Sequence, residues 1–152
     1  MSSKALLSLN KPSSVYVGGS YAVLLFGVIG FIIGLWNAEM QLNEKGYYFT
    51  VLAFGLFSAI SLQKSVRDRQ EGVTVSSTYY GMCYVALGLA LLLLVVGLWN
   101  ATLLLSEKGY YAVCFVLAMY AGITVQKNTR DLQLWNSLSP AAQPDEPEQN
   151  AS

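Results

Sequence analysis

The chain has 152 residues, nine basic and nine acidic side chains, no histidine, and 54% hydrophobic against 12% charged residues. Soluble domains carry about 25% charged residues, so this composition, with a mean hydropathy of +0.44, argues against a core solvated by water. A formal net charge of zero leaves no electrostatic footprint for nucleic acid.

Residues 1–14, with Lys4 and Lys11, read as a flexible polar lead-in. The first apolar run, about 15–36, is too long for the hydrophobic region of a cleavable signal and lacks a small-x-small site behind it, so it stays as a helix. The second run, 47–63, is shorter, at the lower limit of what crosses a hydrocarbon core of about 30 Å. A charged segment with Lys64, Arg67, Asp68 and Arg69 follows, and 69–77 reads as a loop. The third and fourth runs cover 79–99 and 110–126; a disordered tail is expected over 132–152, rich in Pro, Ala, Gln and acidic residues. Residues 12–38, 46–63, 72–106 and 109–126 contain no Lys, Arg, Asp or Glu. Four uncharged runs without a polar face mean four spans.

The spans come in two copies. Gly34-Leu35-Trp36-Asn37-Ala38, Leu42, Glu44-Lys45-Gly46-Tyr47-Tyr48, Gln63-Lys64 and Arg67-Asp68 recur as Gly97-Leu98-Trp99-Asn100-Ala101, Leu105, Glu107-Lys108-Gly109-Tyr110-Tyr111, Gln126-Lys127 and Arg130-Asp131. Every pair keeps one offset of 63 positions, without insertion or deletion. The organisation is therefore a first two-helix repeat over 15–68 and a second over 78–131. Basic residues in short loops set orientation. Lys4, Lys11, Lys64, Arg67, Arg69, Lys127 and Arg130 fall on one side, and Lys45 and Lys108 on the other. Both termini are accordingly expected in the cytoplasm. With two spans per repeat, both copies enter from the same side and are related by an axis along the membrane normal. The expected fold is an all-α membrane protein, an up-down-up-down bundle of two parallel-repeat hairpins.

Small residues recur in register within the spans. Gly27 and Gly34 match Ala90 and Gly97; Gly55 and Ala59 match Ala118 and Gly122; Gly30 adds a small-xxx-small spacing with Gly34. Lipid supplies no hydrophobic drive between helices, so close backbone approach at such positions holds them together. The contacts they make can lie within the chain or at a seam with a second copy.

The outer block admits two readings. Trp36, Tyr47 and Tyr48, with Trp99, Tyr110 and Tyr111, suit the headgroup level. Asn43 or Ser106 can cap the returning helix, with Glu44 or Glu107 in its first turn, and Leu42 and Leu105 would tuck under the turn. Alternatively Asn37, Glu44 and Lys45, with Asn100, Glu107 and Lys108, line a paired external site around Gly46 and Gly109. Asn37 and Asn100 are the residues that no belt or cap requires. At the inner end, Gln63, Lys64, Arg67 and Asp68, with Gln126, Lys127, Arg130 and Asp131, suit a helix terminus among lipid headgroups or a contact surface for a partner or anionic lipid. Tyr16, Tyr79, Tyr80 and Trp135 would complete an inner aromatic belt.

Reactive constellations are scarce. No carboxylate or Lys lies inside a span, where an ionisable residue would be a functional hypothesis by default. Cys83 and Cys114 start neighbouring antiparallel helices, so they sit near opposite membrane faces, too far apart for a disulfide. No phosphate loop, nucleophile elbow or metal cluster is visible, and no cofactor is expected. The mid-span hydroxyls of Thr50, Ser58 and Ser61 are expected to bond back to their own helices.

The paired GLWN…EKGYY…QK..RD blocks resemble the YiaA/YiaB family of small bacterial inner-membrane proteins, whose unit is a two-helix domain. The resemblance spans about residues 15–131 and implies a multi-pass protein of the bacterial inner membrane; it supplies no catalytic or binding residues. The function expected is a non-enzymatic structural or interaction component of the envelope. Its partners would be the lipid bilayer and, by association, a homo-oligomer or another membrane protein. The alternative is a passive channel or small-solute exporter formed by an oligomer.

Overall fold

A computed structural model describes residues 11–138. Four helices follow one another: α1 Ser14–Asn37, α2 Leu42–Gln70, α3 Ser77–Asn100 and α4 Leu105–Leu138. All four are long and apolar enough to cross a membrane. Their starts follow from local chemistry. Ser13 and Ser76 precede α1 and α3, and their hydroxyls accept the N–H groups of Tyr16 and Tyr79. The helices continue because no proline interrupts them.

Two boundaries differ from the sequence reading. Residues 132–138, expected in the tail, continue α4, because the charged segment after Gln126 keeps a helical register that its ion pairs reinforce. The expected loop at 69–77 shrinks: α2 runs to Gln70, and the connection turns at Gly72, whose φ of +77° favours glycine. The remaining tail and residues 1–10 lie outside the described residues.

The two helices of one repeat are not each other's main packing partners. Within each repeat the two helices are consecutive, but α1 packs chiefly on α4, and α3 on α2. Each first helix therefore lies against the second helix of the other repeat. Ser20 meets Asn128 and Gly30 meets Tyr110, so α1 and α4 run antiparallel; Cys83 meets Ser65 and Leu93 meets Tyr47, so α3 and α2 do too. The second helices meet at the centre and run parallel, with Tyr48 stacked on Tyr111 at one end and Arg67 paired with Asp131 at the other. A pseudo-twofold axis along the bundle passes between α2 and α4. The repeats are interlocked.

The core is aromatic on one side of this axis and aliphatic on the other. Phe31 and Phe115 are fully buried between α1 and α4, where the sister positions hold Leu94 and Leu52. A side chain on Gly55 would strike the Phe115 ring, so the larger residue of the second repeat needs the glycine of the first. The predicted packing residues fall at these contacts. Gly27, Gly30 and Gly34 face α4; Gly97 faces α2; Gly55 and Gly122 face the opposite central helix; Ala59, Ala90 and Ala118 are buried. Gly27 is where backbones come closest, since a Cβ there would lie 2.8 Å from the Ala118 nitrogen.

Candidate functional site

The end that carries the two hairpin turns is assembled from both repeats. At the start of α2, Glu44 Oε2 accepts the Gln41 backbone N–H at 2.9 Å, and at the start of α4 Glu107 accepts that of Leu104 at 2.8 Å. The carboxylate satisfies an orphan donor and lies at the positive end of the helix dipole. Lys45 and Lys108 turn the other way and donate to the carbonyls of Trp36 and Trp99, the last turns of α1 and α3. Asn37 and Asn100 do the same from within, Nδ2 donating to Ile33 O at 2.9 Å and Val96 O at 2.8 Å. Each Glu thus starts one helix and each Lys and Asn finishes the preceding one.

The tyrosine pair does the interlocking. Tyr47 Oη donates to Leu93 O of α3 at 2.6 Å, and Tyr110 Oη donates to Gly30 O of α1, also at 2.6 Å. Each phenol reaches its sister carbonyl in the other repeat. A Cβ on Gly34 would lie 2.7 Å from the Tyr110 ring, and one on Gly97 would lie 2.7 Å from the Tyr47 ring. The glycine that opens one motif makes room for the tyrosine in the other copy of the second motif. Tyr48 and Tyr111 are buried and stack across the pseudo-twofold, ring centroids 6.1 Å apart and 16° from parallel.

Several sequence expectations change here. Tyr48 and Tyr111 are core residues, not headgroup anchors, because the axis brings them together. Trp36 and Trp99 remain suited to the headgroup level, each 83% exposed. Leu42 and Leu105 do not tuck under the turn; both are 86% exposed and point outward. Asn43 and Ser106 lie inside the first turns rather than at the caps, since α2 and α4 begin one residue earlier. Asn37 and Asn100, which seemed without local employment, satisfy carbonyls at their own helix ends. Thr50 and Ser58 bond back to Gly46 and Phe54 as the sequence predicts. Gly46 and Gly109 have open space around them, and no contact accounts for them.

Two sister cavities open at this end. One, of about 350 Å³ between α2 and α3, is lined by Glu44, Tyr47, Tyr48, Gly97 and Asn100. Its counterpart between α1 and α4, of about 290 Å³, is lined by Gly34, Asn37, Glu107, Tyr110 and Tyr111. The grouping expected from the sequence, Asn37 with Glu44 and Lys45, is therefore split. Each Glu shares a cavity with the Asn of the other repeat, and Lys45 and Lys108 line neither.

At the opposite end, near the connection at Gly72, the charges cross the axis. Arg130 Nη1 lies 3.0 Å from Asp68, and Arg67 pairs with Asp131, its sister contact. Glu71 joins both arginines, 3.1 Å from Arg67 Nε. Lys64 and Lys127 complete the cluster with looser i,i+4 contacts to Asp68 and Asp131 at 3.8 and 3.9 Å. Arg67, Asp68 and Asp131 are all less than one-fifth exposed, so water weakens these pairs less than it would at an open surface. Gln126 shares a cavity of about 550 Å³ with Lys64, Asp68 and Arg130; Gln63 does not line it. In the aromatic belt Arg69 lies 4.5 Å from the centroid of the Tyr80 ring, and Lys11 Nζ 3.9 Å from that of Trp135. Tyr16 and Tyr79 are half exposed.

Sequence reasoning missed a buried polar pair in each interface. Asn128 Nδ2 donates to Ser20 Oγ at 3.2 Å, and Ser65 Oγ lies 3.6 Å from Cys83 Sγ. The 63-residue offset makes Ser20 the sister of Cys83 and Asn128 the sister of Ser65. Both members differ between the copies, so the repeat marks the positions although neither residue type recurs. Glu71 was also missed, because its sister Leu134 is apolar and the repeat gives no hint of it. Cys83 and Cys114 are free and buried.

These observations define a multi-pass α-helical membrane protein built from two interlocked copies of one two-helix unit. The YiaA/B two-helix domain model matches residues 16–68 and again 79–131. The chain belongs to that family. It is 56% identical over 112 residues to "Inner membrane protein YiaA" of Escherichia coli (strain K12), covering 74% of this chain and 77% of that one. It is also 45% identical over 53 residues to "Uncharacterized membrane protein YubF" of Bacillus subtilis (strain 168), covering 34% of this chain and 61% of that one. No solved structure matches the chain.

Proposed function

We propose that the protein is a non-enzymatic structural or interaction component of the bacterial inner membrane, with both termini in the cytoplasm. The observation that carries this reading is how the repeated polar residues are used. Glu44, Lys45, Asn37, Tyr47, Arg67 and their sisters engage helix ends or the opposite repeat, which favours a locked unit over a reaction centre. A path along the bundle axis is disfavoured by the Tyr48–Tyr111 stack and by buried Phe115. The inner-membrane location rests on the relative in Escherichia coli, and the orientation on seven basic residues against two.

Native mass spectrometry of the full chain in lipid nanodiscs, with crosslinking in intact membranes, tests the role. A defined oligomer or a reproducible partner is expected; a strict monomer that crosslinks to nothing overturns it. Proteoliposomes should show no solute leak, and a leak abolished by changing Asn37 and Asn100 together would replace this reading with a channel. For orientation, a reporter active only outside the cytoplasm should give signal when inserted at 42–45 and none when fused at the carboxy terminus.

A further inference from the structure

A groove opens on the lipid-facing surface of the first helix pair. It runs between α1 and α4, lined by Val15, Tyr16, Gly19, Val23, Tyr120 and Ala121, and encloses about 370 Å³. From Val15 to Val23 it spans about 12 Å of helix, close to the roughly 15 Å depth of one leaflet's hydrocarbon. The polar groups beside it are already engaged: Ser20 bonds to Val17 O and accepts from Asn128, and Thr124 bonds to Tyr120 O. What remains is an apolar slot the length of part of an acyl chain.

Its inner end is basic. Lys127, more than half exposed, stands one turn beyond Thr124, and Lys11 lies over Trp135 two further turns along α4. The first turn of α1 has no acidic residue to offset its positive dipole end. The carboxylate paired with Lys127, Asp131, is also held by Arg67. The sister pair shares Lys64 and a first turn without acids but differs at three other positions. Met82 stands at the position of Gly19, adding a long side chain where the first pair has none. Thr74 and Gly72 stand at the positions of Lys11 and Trp135.

We infer that the α1–α4 groove seats one acyl chain of an anionic phospholipid from the leaflet at the basic end, its phosphate held by Lys127 and Lys11. The open space at Gly19 admits the chain and the lysines select the charge. One lipid binds per protein chain, because Met82 and Thr74 stand where the first helix pair has Gly19 and Lys11.

Native mass spectrometry of the full chain in detergent, titrated with phosphatidylglycerol or phosphatidylcholine of identical acyl chains, tests this. A single phosphatidylglycerol adduct should saturate first, with each lysine worth about fivefold in affinity. Gly19→Met should reduce binding of both lipids, whereas Gly18→Met, at a neighbouring glycine with equally open surroundings, should not. Lys11→Gln with Lys127→Gln should bring phosphatidylglycerol down to the level of phosphatidylcholine, and added inorganic phosphate should not compete. Equal binding of the two lipids by the unaltered chain, or an unchanged adduct in Gly19→Met, overturns the inference. Elution and helicity of each variant, matched to the unaltered chain, separate lost binding from lost fold.

Discussion

Replacing Gly27 by alanine tests the interlocked packing at its tightest point. The new Cβ would lie 2.8 Å from the Ala118 nitrogen, 3.0 Å from its Cα and 3.1 Å from its Cβ, where carbon contacts normally begin near 3.5 Å. Two of these atoms are backbone, so no rotamer change relieves the clash. Helix α1 has to retreat by about 0.5–1 Å, and a gap of that size forfeits a quarter to a half of each van der Waals contact along the seam. Overpacking of this kind costs about 1–3 kcal/mol. In a bilayer no hydrophobic term compensates. Gly18→Ala is the control: its Cβ meets nothing within 4 Å, and alanine is the better helix former. Unfolding in mixed micelles should rank Gly27→Ala below the unaltered chain by that amount and leave Gly18→Ala equal or slightly above. Adding Ala118→Gly should recover part of the loss, because the sister positions Ala90 and Gly55 hold that exchanged pair of residue types. Equal stability of the two alanine variants would refute the close approach of α1 to α4.

Other expectations follow from the two ends. Arg67→Ala should cost about 1–3 kcal/mol by stranding the carboxylates of Asp131 and Glu71; additive single and double losses in an Arg67–Asp131 mutant cycle would remove the cross-axis pairing. Tyr110→Phe and Tyr47→Phe should each cost about 0.5–1.5 kcal/mol, the range for hydrogen bonds between membrane helices, and by similar amounts because their contacts are sisters. Trp36 and Trp99 should be quenched strongly by nitroxides near the headgroups and weakly by nitroxides deep in the chains; the reverse would displace the outer end from the interface. Gly34→Leu should destabilise far more than Gly46→Leu in the same unfolding assay, since only the former meets a tyrosine ring.

Much of this architecture is local information, legible without coordinates. Four uncharged runs are long enough to span because backbone groups in lipid must be satisfied within a helix. An unbroken offset between copies fixes two spans per repeat, and an even number makes the copies parallel. Glu44 and Glu107 are readable as first-turn acids for the same reason. Which helices touch is not local. The repeat suggests self-contained hairpins, whereas the tertiary structure pairs each first helix with the second helix of the other copy. Only that exchange explains why Gly34 accompanies Tyr110, why Tyr48 and Tyr111 are buried together, and why Arg67 needs Asp131. Helical periodicity places a side chain on a face, but the choice of neighbour depends on volumes summed across a seam: Phe115 against Gly55, a tyrosine ring against a missing Cβ. The sequence by itself determined the spans, the duplication and the polar ends; packing between chemically similar apolar faces decided how they interlock, because lipid leaves shape complementarity to choose the partner.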